Sequence, residues 1–162
     1  MIRIRSVFRF AAPMALSLAL GGCAGTPELR PFTTDGCSLF PDRLASSGKD
    51  WCLCCVAHDR IYWRGGTDAD RLKADQELRT CVASTTGDKG LATLMYVGVR
   101  IGGGPYLPTW FRWGYGWTYG RFYQPLQPEE SAAADKLEAE YAASVGFGMC
   151  PGAPPAELKQ VP

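Results

Sequence analysis

The feature that most constrains this chain is a short stretch that holds its only histidine between paired cysteines and a double glycine. The stretch, residues 54–66, reads Cys-Cys-Val-Ala-His-Asp-Arg-Ile-Tyr-Trp-Arg-Gly-Gly. In a helix the two cysteines, His58 and Tyr62 fall at spacings of three, four and seven, so they share one broad face. Asp59 lies about a quarter-turn to the side. An imidazole and a carboxylate on one rigid helix can divide proton transfer and cation binding between them.

The first 22 residues have the pattern of a bacterial lipoprotein signal peptide. Three arginines precede an apolar run, residues 10–20, that is too short to span a bilayer. The following Leu-Gly-Gly-Cys resembles a lipobox, which predicts removal of residues 1–22 and acylation of Cys23 by chains such as palmitate. Ala24 resembles the outer-membrane sorting pattern. We therefore expect a lipid-anchored protein of the cell envelope, on the outer membrane and facing the periplasm of a double-membraned bacterium; a plain secretory signal is the alternative.

The remaining chain has the length of one domain. Residues 23–34 contain prolines and no apolar periodicity, which predicts a tether, and residues 151–162 form a proline-rich stretch typical of a flexible tail. Residues 35–150 would form the domain. Without the leader's three arginines, 14 basic residues face 16 acidic ones, so no basic field for nucleic acid exists. We expect a monomer whose partner is a phospholipid membrane surface.

The cysteines favour a disulfide framework. Lipidation of Cys23 leaves six of the seven cysteines, an even number in an exported chain, which predicts three disulfides. Zinc is the alternative, because cysteines cluster near the histidine. However, the chain lacks two spaced Cys-x-x-Cys pairs, and an exported domain meets oxidising conditions. The candidate zinc ligands would be Cys52, Cys54, Cys55 and His58.

Two successive helices are predicted around the double glycine. The first covers residues 49–62, and the second starts after Thr67, which can cap it with Asp70 as the capping-box acid. Asp75 lies in line with the buried stripe of the second helix, where a carboxylate requires a partner. An antiparallel arrangement of the two helices would bring Asp75 towards His58 and the cysteine at 81 towards the one at 54.

The second half of the chain is predicted to hold two more helices and an aromatic segment. The helices cover residues 91–101 and 129–144. Between them, residues 106–123 alternate aromatic side chains with glycine, which predicts an extended ribbon with one aromatic face. That face, with Trp110, Phe111, Trp113 and Trp117, could settle among lipid headgroups or could cover the helical core.

Three motifs in this order resemble the secreted, calcium-dependent phospholipase A2 superfamily. The pattern Cys-Cys-x-x-His-Asp-x-x-Tyr at 54–62 resembles its active-site helix, and the Ala-Asp pair with a cysteine six residues on, at 74–81, resembles the partner helix. The pattern Asp-Gly-Cys-Ser-x-x-Pro-Asp at 35–42 resembles the calcium loop of the bacterial and fungal branch. The resemblance covers about residues 33–82. It implies a mainly α, phospholipase A2-like fold with two antiparallel, disulfide-linked helices carrying the active site, extended here by the aromatic segment and a C-terminal helix.

The resemblance also implies site roles. His58 would be the general base, Asp75 would fix its tautomer, and Tyr62 would brace Asp75. A calcium ion needs several oxygen ligands and would stabilise negative charge on the ester carbonyl. The implied calcium ligands are Asp59, the Asp42 carboxylate and a backbone carbonyl near Arg43. The implied disulfides are Cys54–Cys81, Cys37–Cys55 and, as the remaining pair, Cys52–Cys150.

The activity implied is calcium-dependent hydrolysis of the sn-2 ester of glycerophospholipids, that is, lipid degradation by a membrane-anchored phospholipase A2. The alternative is a non-enzymatic envelope lipoprotein that uses the same scaffold to bind lipid or protein. Half of the domain lies outside the matched motifs, which favours this alternative. A tethered lipase would also stand among its own substrates, where unregulated lipolysis would be harmful, and this too favours the non-enzymatic alternative.

Overall fold

The computed structural model describes residues 28–44 and 48–151, and these are mainly helical. The predicted signal peptide, the lipidation site Cys23 and the stretch 152–162 lie outside the described residues. Across the described part, no helix is long and apolar enough to cross a membrane. The elements are β1 (Arg43–Leu44), β2 (Lys49–Asp50), α1 (Cys52–Arg64), α2 (Asp68–Thr86), α3 (Lys89–Gly102) and α4 (Pro128–Ser144).

Helices α1 and α2 form the predicted antiparallel pair. Their contacts join His58 to Asp75 and Cys54 to Cys81. The earlier residue on α1 therefore meets the later residue on α2, as antiparallel helices require. Helix α1 begins later than the predicted residue 49, because Lys49–Asp50 pair with Arg43–Leu44 in a short antiparallel ladder. The Asp50 carboxylate then accepts a hydrogen bond from the first backbone N–H of the helix.

The predicted cap of α2 is present. The Thr67 side chain accepts a hydrogen bond from the Asp70 N–H, and the Asp70 carboxylate accepts one from the Thr67 N–H. The helix ends at Gly87, which has a φ of 70° and adopts the left-handed conformation typical of a helix end. Helix α3 follows at once and packs along α2. The core between α1, α2 and α3 contains Cys54, Cys55, Leu78, Val82, Ala92 and Met95.

All three predicted disulfides are confirmed. They join Cys37 to Cys55, Cys52 to Cys150 and Cys54 to Cys81. The first fastens the loop before β1 to α1, and the third fastens α1 to α2. Each bridge typically stabilises a fold by about 2–4 kcal/mol. The cysteines of the zinc alternative are therefore oxidised, so they offer no thiolate to a metal.

The aromatic segment, residues 106–123, is turn-rich and not the extended ribbon that its period of two predicted. Gly114 and Gly120 have φ values of 68° and 103°, and these turn the chain. The segment forms one isolated bridge, between Trp117 and Leu29. Four of its backbone and indole N–H groups bind carbonyls at and just after the C-terminal end of α1, which have no partner within the helix. The bonds run from Gly114 N to Tyr62 O (2.7 Å), Gly116 N to Trp63 O (3.2 Å), Trp117 Nε1 to Arg64 O (2.7 Å) and Trp113 Nε1 to Gly66 O (3.0 Å).

The two interpretations of the aromatic face apply to different residues. Trp113 and Trp117 are fully buried, so they belong to the core. Trp110 is 64% exposed, and its indole N–H points to the Asp35 carboxylate at 3.4 Å. The buried tryptophans therefore hold α1 in place, whereas Trp110 lies at the surface.

Residues 28–34, part of the predicted tether, pack against the domain. Leu29 pairs with Trp117, and Phe32 is buried with its ring edge-on to Trp63. The Trp63 indole N–H donates to the Arg30 carbonyl at 2.8 Å. Helix α4 covers the same cluster through Ala134. Trp63 requires apolar cover on this side, which the prolines and missing periodicity of the segment do not reveal.

Candidate functional site

The centre of the site is a hydrogen-bonded pair between α1 and α2. His58 Nε2 lies 2.8 Å from Asp75 Oδ1, and both side chains are buried. Burial alone would raise the pKa of the Asp75 carboxyl, but hydrogen bonds from His58, Arg100 and Tyr62 hold this pKa below its ordinary value. Since the carboxylate is ionised, Nε2 carries the proton and donates it. The other ring nitrogen, Nδ1, is then free to accept a proton.

Tyr62 occupies the predicted position beside Asp75. Its hydroxyl donates to Asp75 Oδ1 at 2.7 Å and accepts a hydrogen bond from Arg71 Nε at 3.0 Å. Burial and the negative charge of Asp75 raise the pKa of Tyr62 well above its ordinary value, so the hydroxyl keeps its proton. The ring lies between the His58 ring and Trp113, with centroid distances of 4.1 and 5.1 Å. Tyr62 therefore fixes the carboxylate and contacts the imidazole at once.

Two arginines that sequence analysis missed complete the surroundings of Asp75. Arg100, on α3, donates from Nη1 to Asp75 Oδ2 at 2.8 Å. Arg71 Nε lies 3.9 Å from the same oxygen, and its other donors bind the Tyr123 hydroxyl and two carbonyls of α3. Arg71 stands four residues before Asp75 on one helix, a spacing that could have indicated it. No local sequence pattern around Arg100 indicates its contact with Asp75.

A cavity of about 360 Å³ opens beside His58. Its wall is mostly apolar, and Ser38, His58, Asp59 and Tyr62 supply the polar side chains. Among the described residues no group hydrogen-bonds His58 Nδ1, so this nitrogen is available to a molecule in the cavity. The apolar wall includes Phe40, Leu78, Leu94, Met95, Val99 and Phe111. The space suits an apolar chain that ends next to the His58 imidazole.

Asp59 lies at the edge of this cavity and carries a strongly perturbed carboxyl. Its Oδ2 accepts a hydrogen bond from the Thr34 hydroxyl at 2.7 Å. Burial raises the pKa of Asp59 to about 8, the hydrogen bond from Thr34 opposes this rise, and the negative charges of Asp35 and Asp42 add to it. Asp35, Asp42 and Asp59 thus repel one another, and no basic side chain contributes to the shift in the pKa of Asp59. A cation beside Asp59 would relieve this repulsion.

The two loop carboxylates, Asp42 and Asp35, have different surroundings. Asp42 Oδ1 accepts the Cys37 N–H at 2.8 Å, so this side chain organises the loop. Asp35, which the implied ligand set omitted, lines a second cavity of about 210 Å³ together with Asp59 and Ser38. Arg43 forms part of β1, and its side chain faces Asp50 at 3.3 Å. Asp35 is therefore the carboxylate that shares a cavity with Asp59.

These residues fit a hard cation in donor chemistry. Carboxylates and loop carbonyls are the ligands that calcium takes, and a cation beside Asp59 would favour its ionised form, which burial and the neighbouring acids otherwise disfavour. The described chain does not gather three carboxylates at one point. Within it, the group of potential ligands whose atoms lie within 4.8 Å of one another is Asp50, Cys52 and Cys150, and its two sulfurs form a disulfide. A cation here would therefore draw several ligands from the backbone and from water.

No protein-family model, curated protein or solved structure matches this chain.

Proposed function

We propose that this protein is a calcium-dependent, membrane-anchored hydrolase of the sn-2 ester of glycerophospholipids. The observation that carries the proposal is the arrangement at His58. Its Nε2 is bound to Asp75 at 2.8 Å, and its Nδ1 is free beside an apolar cavity that Asp59 also lines. A base, a carboxylate suited to a cation and an apolar space are the three parts that water attack on a lipid ester requires.

The chemistry of the chain's own groups follows from this arrangement. His58 Nδ1 accepts a proton from a water molecule as that water attacks the ester carbonyl carbon. The imidazolium that results is stabilised by the Asp75 carboxylate, which Tyr62 keeps in place. When the carbon–oxygen bond of the ester breaks, the same nitrogen returns the proton to the leaving alkoxide. The products are a lysophospholipid and a fatty acid.

The carboxylates beside His58 would hold the calcium ion. Asp59 and Asp35 share a cavity, and backbone carbonyls of the loop that Asp42 organises would supply further oxygen ligands. When bound, the ion supplies positive charge for the developing oxyanion, an effect of several kcal/mol on the barrier. Thr34 holds one Asp59 oxygen, so it orients the carboxylate that the ion would meet.

The apolar cavity supports a lipid substrate over a small polar ester. Its wall is formed by α1, α2, α3, the loop before β1 and Phe111, and an acyl chain in it would carry its ester to His58. Each buried methylene contributes about 0.8 kcal/mol to binding. The lipoprotein signal and the phospholipid membrane as partner, expected from sequence, agree with such a substrate.

Hydrolysis of phospholipid vesicles tests the proposal. The full chain, purified in detergent, should release fatty acid from phosphatidylglycerol and phosphatidylcholine vesicles with calcium and stop when a chelator is added. His58→Asn and Asp59→Asn should abolish turnover, the second through loss of calcium binding, while Glu140→Gln on the exposed face of α4 should act like the unmodified protein. Lipids labelled separately in the two acyl chains identify the bond cleaved. Calcium binding without fatty acid release would refute the enzymatic proposal.

The second candidate is a lipid-binding lipoprotein without catalysis. The observation that favours it is that the described residues do not gather three carboxylates around one point, although the apolar cavity is well formed. Such a protein would bind fatty acid or lysophospholipid with the same affinity in calcium and in chelator. Calorimetric titration with calcium separates the two, because the proposed chemistry requires the ion.

A further inference from the structure

We propose that Arg100 is a positioning residue of this site, which pins one oxygen of Asp75 so that the other keeps His58 in its Nε2-protonated form. The kinetic consequence rests on the proposed function, but the structural consequence does not. Arg100 lies on α3, outside the part of the chain that resembles a known family, and 25 residues from the carboxylate that it binds.

The two oxygens of Asp75 have separate tasks. Oδ1 accepts hydrogen bonds from His58 Nε2 and from the Tyr62 hydroxyl, at 2.8 and 2.7 Å. Oδ2 faces Arg100 Nη1 at 2.8 Å, and the next cation, Arg71, lies 3.9 Å away. Since a carboxylate is planar and rigid, fixing Oδ2 fixes the direction in which Oδ1 points. Arg100 therefore sets the angle at which His58 is held.

The position of Arg100 is itself fixed from α2. Arg71 Nη2 donates to the carbonyls of Val99 and Arg100, each at 2.8 Å. Arg71 also binds the Tyr62 hydroxyl, so one buried arginine ties α3 to the group that braces Asp75. The Arg100 side chain is 27% exposed, and Asp68 lies 3.9 Å from its Nη2. Arg100 therefore reaches the fully buried carboxylate from the solvent side, on a backbone that α2 holds.

Packing between α2 and α3 does not require Arg100. The core that joins these helices is apolar and lies towards the other end of α3, around Ala92 and Met95. Arg79 offers a matched control, because it also joins the two helices, by a hydrogen bond to Thr93 and a contact with the Tyr96 ring, and does not touch Asp75. A change that affects the site only through helix packing would act through either arginine.

Enzyme kinetics on three variants test the positioning role. Arg100→Gln should lower kcat by about 10–100-fold with KM within twofold of the unmodified value, because the lost group orients the base and does not touch substrate. Arg100→Lys, which keeps a donor and the charge, should recover part of kcat. Arg79→Gln should leave both constants unchanged. If Arg100→Gln does not fold, Arg100→Met keeps the aliphatic stem without the charge and replaces it.

Nitrogen NMR gives a test that needs no activity, because the chain has one histidine. With the ring neutral, the unmodified protein should show His58 as a single Nε2-protonated tautomer whose imidazole proton exchanges slowly. Arg100→Gln should show a tautomer mixture and faster exchange, and Arg100→Lys should stay close to the original spectrum. If the unmodified protein has no lipase activity but Arg100→Gln still shows the tautomer mixture, the proposed function is refuted and the positioning role is supported. An unchanged His58 spectrum and kcat in Arg100→Gln would overturn the positioning role.

Discussion

Replacing Gly103 with alanine tests how tightly the site is packed. Gly103 follows α3, and its φ of −86° suits any residue, so backbone strain does not enter. A Cβ at this position would lie 2.7 Å from Tyr62 Cε1 and 2.8 Å from both the Tyr62 hydroxyl and the Val99 carbonyl. These distances are far below van der Waals contact. One of the three groups must therefore move.

None of those groups can move cheaply. The Val99 carbonyl belongs to the backbone of α3 and accepts hydrogen bonds from Gly103 and Arg71. The Tyr62 ring is 2% exposed and packs edge-on against Trp113. Overpacking a core by one methyl costs roughly 1–3 kcal/mol. If the Tyr62 hydroxyl also leaves the ionised Asp75, a charged hydrogen bond worth about 1.5–3 kcal/mol is lost. We expect Gly103→Ala to lower the free energy of unfolding by about 2–4 kcal/mol.

Denaturant unfolding of the oxidised protein measures this loss, and vesicle hydrolysis measures its effect on the site. Displacing Tyr62 should lower kcat by roughly tenfold or more, because the brace on Asp75 is lost. Gly98→Ala is the matched control. It lies on the same helix and lines the same cavity, but its Cβ would meet nothing within 4 Å, so alanine should stabilise α3 by about 0.5–1 kcal/mol. Equal stability and kcat for Gly103→Ala and the unmodified protein would refute the claim that Tyr62 is locked.

Further predictions concern the carboxylates and the aromatic segment. The hydrogen bond from Arg121 lowers the pKa of Glu130, so at pH values above the ordinary glutamate pKa Glu130→Gln should lower the free energy of unfolding by about 1.5–3 kcal/mol. In urea titrations this difference between variant and unmodified protein should shrink as pH falls through the lowered pKa. A difference that does not change with pH would contradict the prediction. Asp35→Ala should weaken calcium binding without changing unfolding in chelator. Asp42→Ala should also destabilise the calcium-free protein by about 1–3 kcal/mol, because a loop N–H loses its acceptor; equal stability of the two variants would exclude this division. Trp117→Phe should cost about 1–3 kcal/mol, because a carbonyl at the end of α1 loses its donor, and an unchanged unfolding midpoint would refute that role.

The helix pair was predictable because its signals are local. Periodicity places His58 and Asp75 on facing stripes, a capping box marks the start of α2, and the double glycine between the helices enforces a reversal. The resemblance then assigned the cysteine pairs, and the structure contains them. Short-range chemistry was sufficient for the pair of helices, since His58 and Cys54 on α1 have their partners on the neighbouring α2, whereas the Cys52–Cys150 pair followed only as the remaining one.

The surroundings of this pair were less predictable. The approach of Arg100 to Asp75 depends on how α3 packs, which no local pattern specifies. The loop motif contains two aspartates, and only the fold shows that Asp42 binds a backbone N–H while Asp35 faces the cavity of Asp59. The aromatic segment misled because alternation with glycine is common to ribbons and to turn-rich chains. Its course was decided by the unpaired carbonyls of α1, which a period of two does not encode.

The hydrogen bonds between the aromatic segment and the C-terminal end of α1 bear on the order in which parts of the protein fold. If the chain folds from its N-terminal end, the two disulfides that span 18 and 27 residues can close once α2 has formed. The carbonyls of Tyr62, Trp63, Arg64 and Gly66 obtain these donors only when residues 113–117 pack against them, and the remaining disulfide spans 98 residues. Contacts between distant parts of a chain form late. A partly folded chain would then hold His58 and Asp75 side by side while the C-terminal end of α1 is still unpaired, so the proposed activity should develop only after these late contacts have formed.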